Sequence, residues 1–138
     1  MNALDHPDVE EILDESHLTV FVPTKAAFNN LLHDLDLDSI DDFSDNTLED
    51  LLLVHIHQGG FFSKEDLEDR CGDLLGMANH DDTRTKCEDN ANKIYQKGPR
   101  NLQEDMPRII YFDILACNGS VIHVVNKVIL PRYVQRCE

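Results

Sequence analysis

Between Ile109 and Pro131 the chain reads IIYFDILACNGSVIHVVNKVILP, two β-branched, apolar runs on either side of Cys117-Asn118-Gly119-Ser120. Asn-Gly reaches positive φ at little cost and suits a tight turn between antiparallel strands, so the stretch predicts a long two-stranded ribbon. In its second arm Val121, His123, Val125, Lys127 and Ile129 face one way, and Ile122, Val124, Asn126, Val128 and Leu130 the other. The second set is almost wholly apolar and is expected to be the core face, with the first only partly covered. Pro131 has no N–H to give a ladder and is expected to end the strand.

A ribbon of this kind needs a body to pack on. The 138 residues, 41% hydrophobic, suffice for one domain spanning 1–138 and are short for two. No run approaches the roughly 18 consecutive apolar residues of a membrane span. The opening MNALDHPDVEEILDE lacks the basic and apolar regions of a signal peptide, so a secreted parent is expected to have lost its leader from this chain. A net charge of −15 argues against a phosphate-backbone partner and suits cations, basic partners or neutral glycans better.

The cysteines are Cys71, Cys87, Cys117 and Cys137, with no Cys-x-x-Cys element of the kind zinc sites use. Disulfides in an oxidising compartment are the better reading. Cys71 to Cys87 closes a short loop and is the preferred bridge. Cys117 to Cys137 is harder, because about ten strand residues at ~3.3 Å each separate the hairpin turn from Pro131, which leaves Cys137 free or paired elsewhere.

Taken in order, residues 5–15 predict a short helix with Val9, Ile12 and Leu13 on one face. His17 to Val22 alternates as a strand stopped by Pro23, and Thr24 caps a helix carrying Ala27, Phe28, Leu31, Leu32 and Leu35. The acidic run Asp34 to Asp45 echoes an EF-hand loop at Asp34, Asp36 and Asp38. However, Ser39 replaces the turn glycine and Asp45 the bidentate Glu, so solvated carboxylates over inward Leu35, Leu37, Ile40 and Phe43 explain it better. Asn46-Thr47-Leu48-Glu49 has capping-box form and opens a helix with Leu48, Leu51, Leu52, His55 and Ile56 on one face, ended by Gly59-Gly60. Ser63 caps a short helix over Lys64 to Cys71. Strands follow at Thr83 to Glu88 and Lys93 to Lys97, with a break at Gly98-Pro99. Helices first and strands later give an α+β order.

Three separated stretches resemble one family. Leu18 to Phe28, LTVFVPTKAAF, is similar to the first signature of fasciclin-type (FAS1) domains; Leu51 to Gly59, LLLVHIHQG, to the central histidine motif; and Asn118 to Pro131, NGSVIHVVNKVILP, to the second signature. They bracket residues 18–131 in the family's order. The resemblance implies an α+β fold, a β wedge or sandwich packed with several helices, in an extracellular or cell-surface adhesion or matrix module often present in tandem. Family members usually carry more helical sequence ahead of the first signature, so the N-terminal helical part is expected to be shortened. The insert between Gly72 and Met106 resembles the variant of algal and other protist members. Val54 stands where the motif commonly has Tyr before the His matching His55. Integrin binding in animal members has been attributed to that neighbourhood, and Val54 departs from it. His55 and Val54, with Phe61 and Phe62 nearby, are the adhesion-motif candidates.

No Gly-x-Ser-x-Gly elbow or other nucleophile arrangement is present, and a non-enzyme is expected. His55, His57 and His123 invite a metal reading, but His55 and His57, two apart on the predicted helix, point in different directions. His55 and His123 are better read as partly buried structural histidines, each satisfying a backbone group. No cofactor or metal is expected. Asn118-Gly119-Ser120 is a glycosylation sequon, although turn-making alone explains it. Of Phe61 and Phe62, one ring is expected inward and one exposed. Arg84, Lys86, Lys93, Lys97, Arg100 and Arg108 set a basic later half against the acidic Asp34 to Asp50 half, a polarity suited to head-to-tail self-association. The expected function is a non-enzymatic adhesion or matrix interaction module working through protein or glycan contacts, with possible homophilic contact. The alternative is a ligand-binding or signalling domain using a cleft left by the shortened N-terminus.

Overall fold

The computed structural model describes residues 17–58, 60–88, 93–116 and 119–132. Within them the chain runs β1 (Thr19–Pro23), α1 (Lys25–Asp34), α2 (Asp45–Leu53), β2 (Ile56–His57), α3 (Lys64–Glu68), β3 (Leu74–Gly76), β4 (Asp82–Glu88), β5 (Lys93–Lys97), β6 (Ile109–Leu115) and β7 (Val121–Val125). The helix predicted for 5–15, the turn residues Cys117 and Asn118, Gly59 and Cys137 lie outside the described residues.

The strands form two sheets, one of order β2-β1-β7-β6 and one of order β3-β4-β5. With the helices this is an α+β fold. In the first sheet β1 runs parallel to β7, Thr19 opposite Val121 through Pro23 opposite Val125, so the first and last signature stretches lie side by side. Phe21, Ile109, Val125 and Ile129 from that side meet Leu75, Met77 and Ile94 from the second sheet, with Val54 and Leu67, in one buried cluster. A second cluster packs α1 and α2 through Ala27, Leu31, Leu37, Phe43, Leu48, Leu51 and Val128. Removing a large side chain such as Phe21 from water contributes roughly 2–3 kcal/mol, so the cluster between the sheets is a large source of cohesion.

The helix starts have local causes. Thr24 accepts from the Ala27 N–H at 3.1 Å, Ser44 from Thr47 at 3.2 Å and Ser63 from Asp66 at 3.3 Å, each satisfying a first-turn donor that the helix leaves open. The cap of α2 is therefore Ser44, not Asn46: Thr47 is buried on the helix and its N–H is the capped donor. The acidic run is closed by its own carboxylate, since Asp42 Oδ2 accepts from the Asp38 and Ser39 N–H groups at 2.9 and 3.2 Å.

Two expectations are corrected. The helix that begins after Ser44 ends at Leu53; Val54 caps it, and Ile56–His57 pair with β1 as a strand, so His55 and His57 do not share a helix. The second arm of the ribbon ends at Val125, not Pro131, and its faces are reversed. Val121, His123 and Val125 are fully buried while Ile122 and Val124 are half-buried. Asn126 breaks the phase: its N–H donates to the Arg108 carbonyl at 3.0 Å and its Oδ1 accepts from the Arg108 N–H at 2.9 Å. The chain bends there, and Val128 and Ile129 both turn inward beyond it.

Gly98 sits at the junction of the two halves. A Cβ there would lie 2.4 Å from the Leu130 carbonyl oxygen and 2.7 Å from an Ile129 methyl, so only glycine lets the strands approach. Asn101 fastens the same point, accepting from the Gly98 and Leu130 N–H groups at 2.9 and 3.0 Å and donating to the Val128 carbonyl at 3.2 Å.

Candidate functional site

Two buried histidines tie the signature stretches to one another. His55, 5% exposed, leaves the end of α2. Its Nε2 accepts from the Ile129 N–H at 2.9 Å, so the proton resides on Nδ1, which donates to the Leu51 carbonyl at 2.7 Å. Burial without a countercharge pushes its pKa down to about 4, and the Leu51 bond offsets this only in part. The imidazole is a neutral clamp between the central and last motifs.

His123, on β7, clamps in the opposite sense. Its Nδ1 accepts from the Asp113 N–H at 3.2 Å and its Nε2 donates to the Phe62 carbonyl at 2.7 Å. Burial lowers its pKa; the Phe62 bond and the Asp113 charge act the other way. The ring packs between Phe21 and Phe112, each with its centroid 5.7 Å away. An irregularity in β6 between Tyr111 and Ile114 makes this possible, because it sets Asp113 at φ 60°, a region Asp tolerates better than most residues.

These bonds hold the segment 60–64 as a strap against the first sheet. Thr19 Oγ1 donates to the Gly60 carbonyl at 2.7 Å and accepts from the Phe62 N–H at 2.9 Å, while Asp113 Oδ1 accepts from the Lys64 N–H at 2.8 Å. Phe62 lies against His57 and beneath the Arg70 guanidinium, 5.0 and 4.5 Å between centres, and touches the core. Phe61 stays 38% exposed.

The adhesion-motif candidates thus divide. Val54 is fully buried and His55 nearly so, and neither side chain can touch a partner from that position. The reason is local: Val54 is the C-cap of α2, at the turn from the helix into β2, and packs in the core cluster between the sheets. Phe61 is the exposed member. Sequence reading missed the nearby apolar surface on β6, where Ile110, Tyr111, Ile114 and Leu115 are 39–71% exposed. The signal was present as a near-continuous apolar run in the first arm of the ribbon, whose faces the sequence reading did not sort.

The predicted Cys71–Cys87 pair is joined in a disulfide, Cα atoms 5.6 Å apart. It fastens the segment after α3 to β4, helped by Gly72 N–H to the Thr85 carbonyl and Thr85 N–H to the Asp73 carbonyl. Asn118 and Cys137 lie outside the described residues. Among the described residues no group of three or more His, Cys, Asp or Glu side chains is placed to hold a metal ion. A groove lined by Asn30, Leu31, Asp34, Asn101, Lys127 and Leu130 holds about 80 Å³. That is well short of the roughly 300–1,000 Å³ of a small-molecule pocket.

The sequence model of the Fasciclin domain matches residues 1–131. The chain belongs to the Fasciclin domain family. Among solved structures, this Fasciclin domain is similar to a FAS1 domain pair from the insect cell adhesion molecule fasciclin I. The TM-score is 0.65 and the sequence identity 15%, over 92% of this chain and 42% of that one. The chain therefore spans less than half the length of that structure. No curated protein matches it. At this identity the likeness speaks to the fold, in which the three motif-bearing stretches of the Fasciclin domain meet around His55 and His123.

Proposed function

We propose that this Fasciclin domain, as one unit over residues 1–138, is a non-enzymatic interaction module of the adhesion type. It works outside the cell or at the cell surface through protein or glycan contacts. Family membership carries the reading. The histidines support it, because both ring nitrogens of His55 and of His123 are engaged by backbone groups, which leaves neither with a lone pair for a substrate proton or a metal. Phe61 and the outer surface of β6 supply contact area that the chain's described residues leave open.

The test is bead clustering. Beads coated with the protein are mixed with one another, with beads carrying extracted matrix glycans and with beads carrying matrix proteins, each with calcium or chelator. Clustering in at least one mixture, weakened by Phe61→Ala or Tyr111→Ser, is the expected result. Reproducible turnover of a substrate, abolished by a point substitution, contradicts the reading.

A further inference from the structure

The middle of the outer face of the β3-β4-β5 sheet collects basic side chains. Strand alternation sends Leu75, Thr83, Thr85, Ile94 and Gln96 inward, all buried, and leaves Arg84, Lys86, Lys93, Tyr95 and Lys97 on the other side. The register sets Arg84 between Leu74 and Lys97, and Lys86 opposite Tyr95, whose other neighbour is Arg108. With strands about 4.8 Å apart and alternate residues about 7 Å apart along each, the cationic stems form a grid around one aromatic ring. Asp82 and Glu88 lie on the same face at the two ends of β4 and bound the grid, with Glu88 opposite Lys93. Among the described residues no salt bridge engages Arg84, Lys86 or Lys97, and Arg84 is held by donating from Nη1 to the Gly72 carbonyl. All this stands in a chain with 27 acidic residues and 12 basic ones.

We propose that this face binds an acidic polysaccharide, a glycan chain bearing carboxylate or sulfate groups. The proposal rests on the interaction-module reading and names the class of partner. A guanidinium fork takes a carboxylate or sulfate in paired hydrogen bonds, ammonium groups add point charge, and the Tyr95 ring offers a face to the C–H side of a sugar. Screening decides against the whole-chain charge. At physiological salt the Debye length is about 8 Å, so the ligand senses the grid beneath it more than the acidic α1–α2 side of the molecule. The disulfide and the Gly72 and Thr85 bonds hold β4 in place before any ligand arrives, so little ordering is lost on binding. A nucleic acid needs a longer basic track than Asp82 and Glu88 allow. A second copy must match the sheet with a folded lobe, whereas an extended glycan can follow it.

The experiment uses the full chain on immobilised heparin, polygalacturonate and uncharged dextran at physiological salt. The expected result is retention on heparin or polygalacturonate, none on dextran, and release as salt rises. Arg84→Glu with Lys97→Glu is expected to weaken retention roughly tenfold or more while circular dichroism stays unchanged. Should charge reversal disturb folding, the milder Lys86→Gln with Lys97→Gln is expected to weaken retention about threefold. Absence of retention on both anionic matrices, or retention unchanged by the neutralising pair, overturns the proposal. So does a charge reversal that abolishes only self-association measured by sedimentation, which assigns the face to a second copy. Bead clustering without polysaccharide retention sinks this proposal and leaves the module reading standing; absence of both clustering and retention sinks both.

Discussion

The two sheets of this Fasciclin domain are built on different principles. The four-stranded sheet draws together segments far apart in sequence, with β1 lying parallel to β7, and it is locked by histidines that reach from one segment to another. The three-stranded sheet is local, an antiparallel meander of β3, β4 and β5, closed by a disulfide and lined on its inner side by hydroxyl and amide groups. There Thr85 donates to Gln96 Oε1 at 2.9 Å and Gln96 donates to Thr83 Oγ1 at 2.7 Å, all three residues buried. One sheet holds the chain together over long distances; the other presents a charged face on a stiff local platform. The difference teaches that the motif histidines of this domain maintain the scaffold, while the exposed apolar and basic surfaces lie outside the histidine clamps.

If that contrast holds, substitutions should separate the two sheets. His55→Ala is expected to cost on the order of 4 kcal/mol, since it opens a cavity and leaves the buried Ile129 N–H without its acceptor. Denaturant unfolding measures it, and a loss below about 1 kcal/mol breaks the comparison on the four-stranded side. Removing the disulfide with Cys71→Ser and Cys87→Ser is expected to cost about 3 kcal/mol, the loop-closure value for a separation of 16 residues. Hydrogen exchange should then accelerate in α3 and β3–β5 first, with β1 and β7 still protected. Equal acceleration in both sheets contradicts the local reading.

Acid should act on the long-range sheet. His55 titrates at 6.5 when unfolded and about 4 when folded, so between those values the unfolded chain binds more protons. Stability is therefore full above about pH 6.5 and falls as pH drops toward 4, with about 2 kcal/mol gone at pH 5; His123 shifts in the same direction. Thermal melts at pH 7.5 and pH 5 read this, and an unchanged midpoint speaks against the neutral clamps. The smallest effect sharpens the inner side of the second sheet. Gln96→Leu is expected to cost roughly 2 kcal/mol by removing the acceptor of the Thr85 hydroxyl and a donor to Thr83 Oγ1, whereas adding Thr83→Val and Thr85→Val to it should recover most of that loss.

Much of the fold was legible in the sequence because its causes are local. Thr24 and Ser63 are caps with their donors three residues on, and Lys93–Lys97 alternates without interruption. Where the cause lay far away in sequence, the reading slipped. His123 reads as a partly buried histidine, but it still counts as polar in the alternation pattern, because the Phe62 carbonyl that satisfies its Nε2 lies 61 residues away; Asp113, across the ribbon, satisfies the other nitrogen. That inverted the faces of the ribbon. Gln96 and Asn101 went unnoticed for the same reason: each looks like an ordinary surface amide until its partners on other strands are in place. The basic residues were noticed as a group, but only the register of β4 against β5 shows that most of them share one side of one sheet. Whole-chain charge, which pointed away from anionic partners, averages over that arrangement.

The most direct measurement is ¹⁵N NMR of the histidine side chains across a pH titration. The expected result is a His55 imidazole that stays neutral from pH 8 to below pH 5 with its proton on Nδ1, and a His123 imidazole that titrates below the ordinary histidine range with its proton on Nε2. A His55 or His123 that titrates near 6.5, or that exchanges between tautomers, would contradict the claim that these residues are fixed clamps of the scaffold.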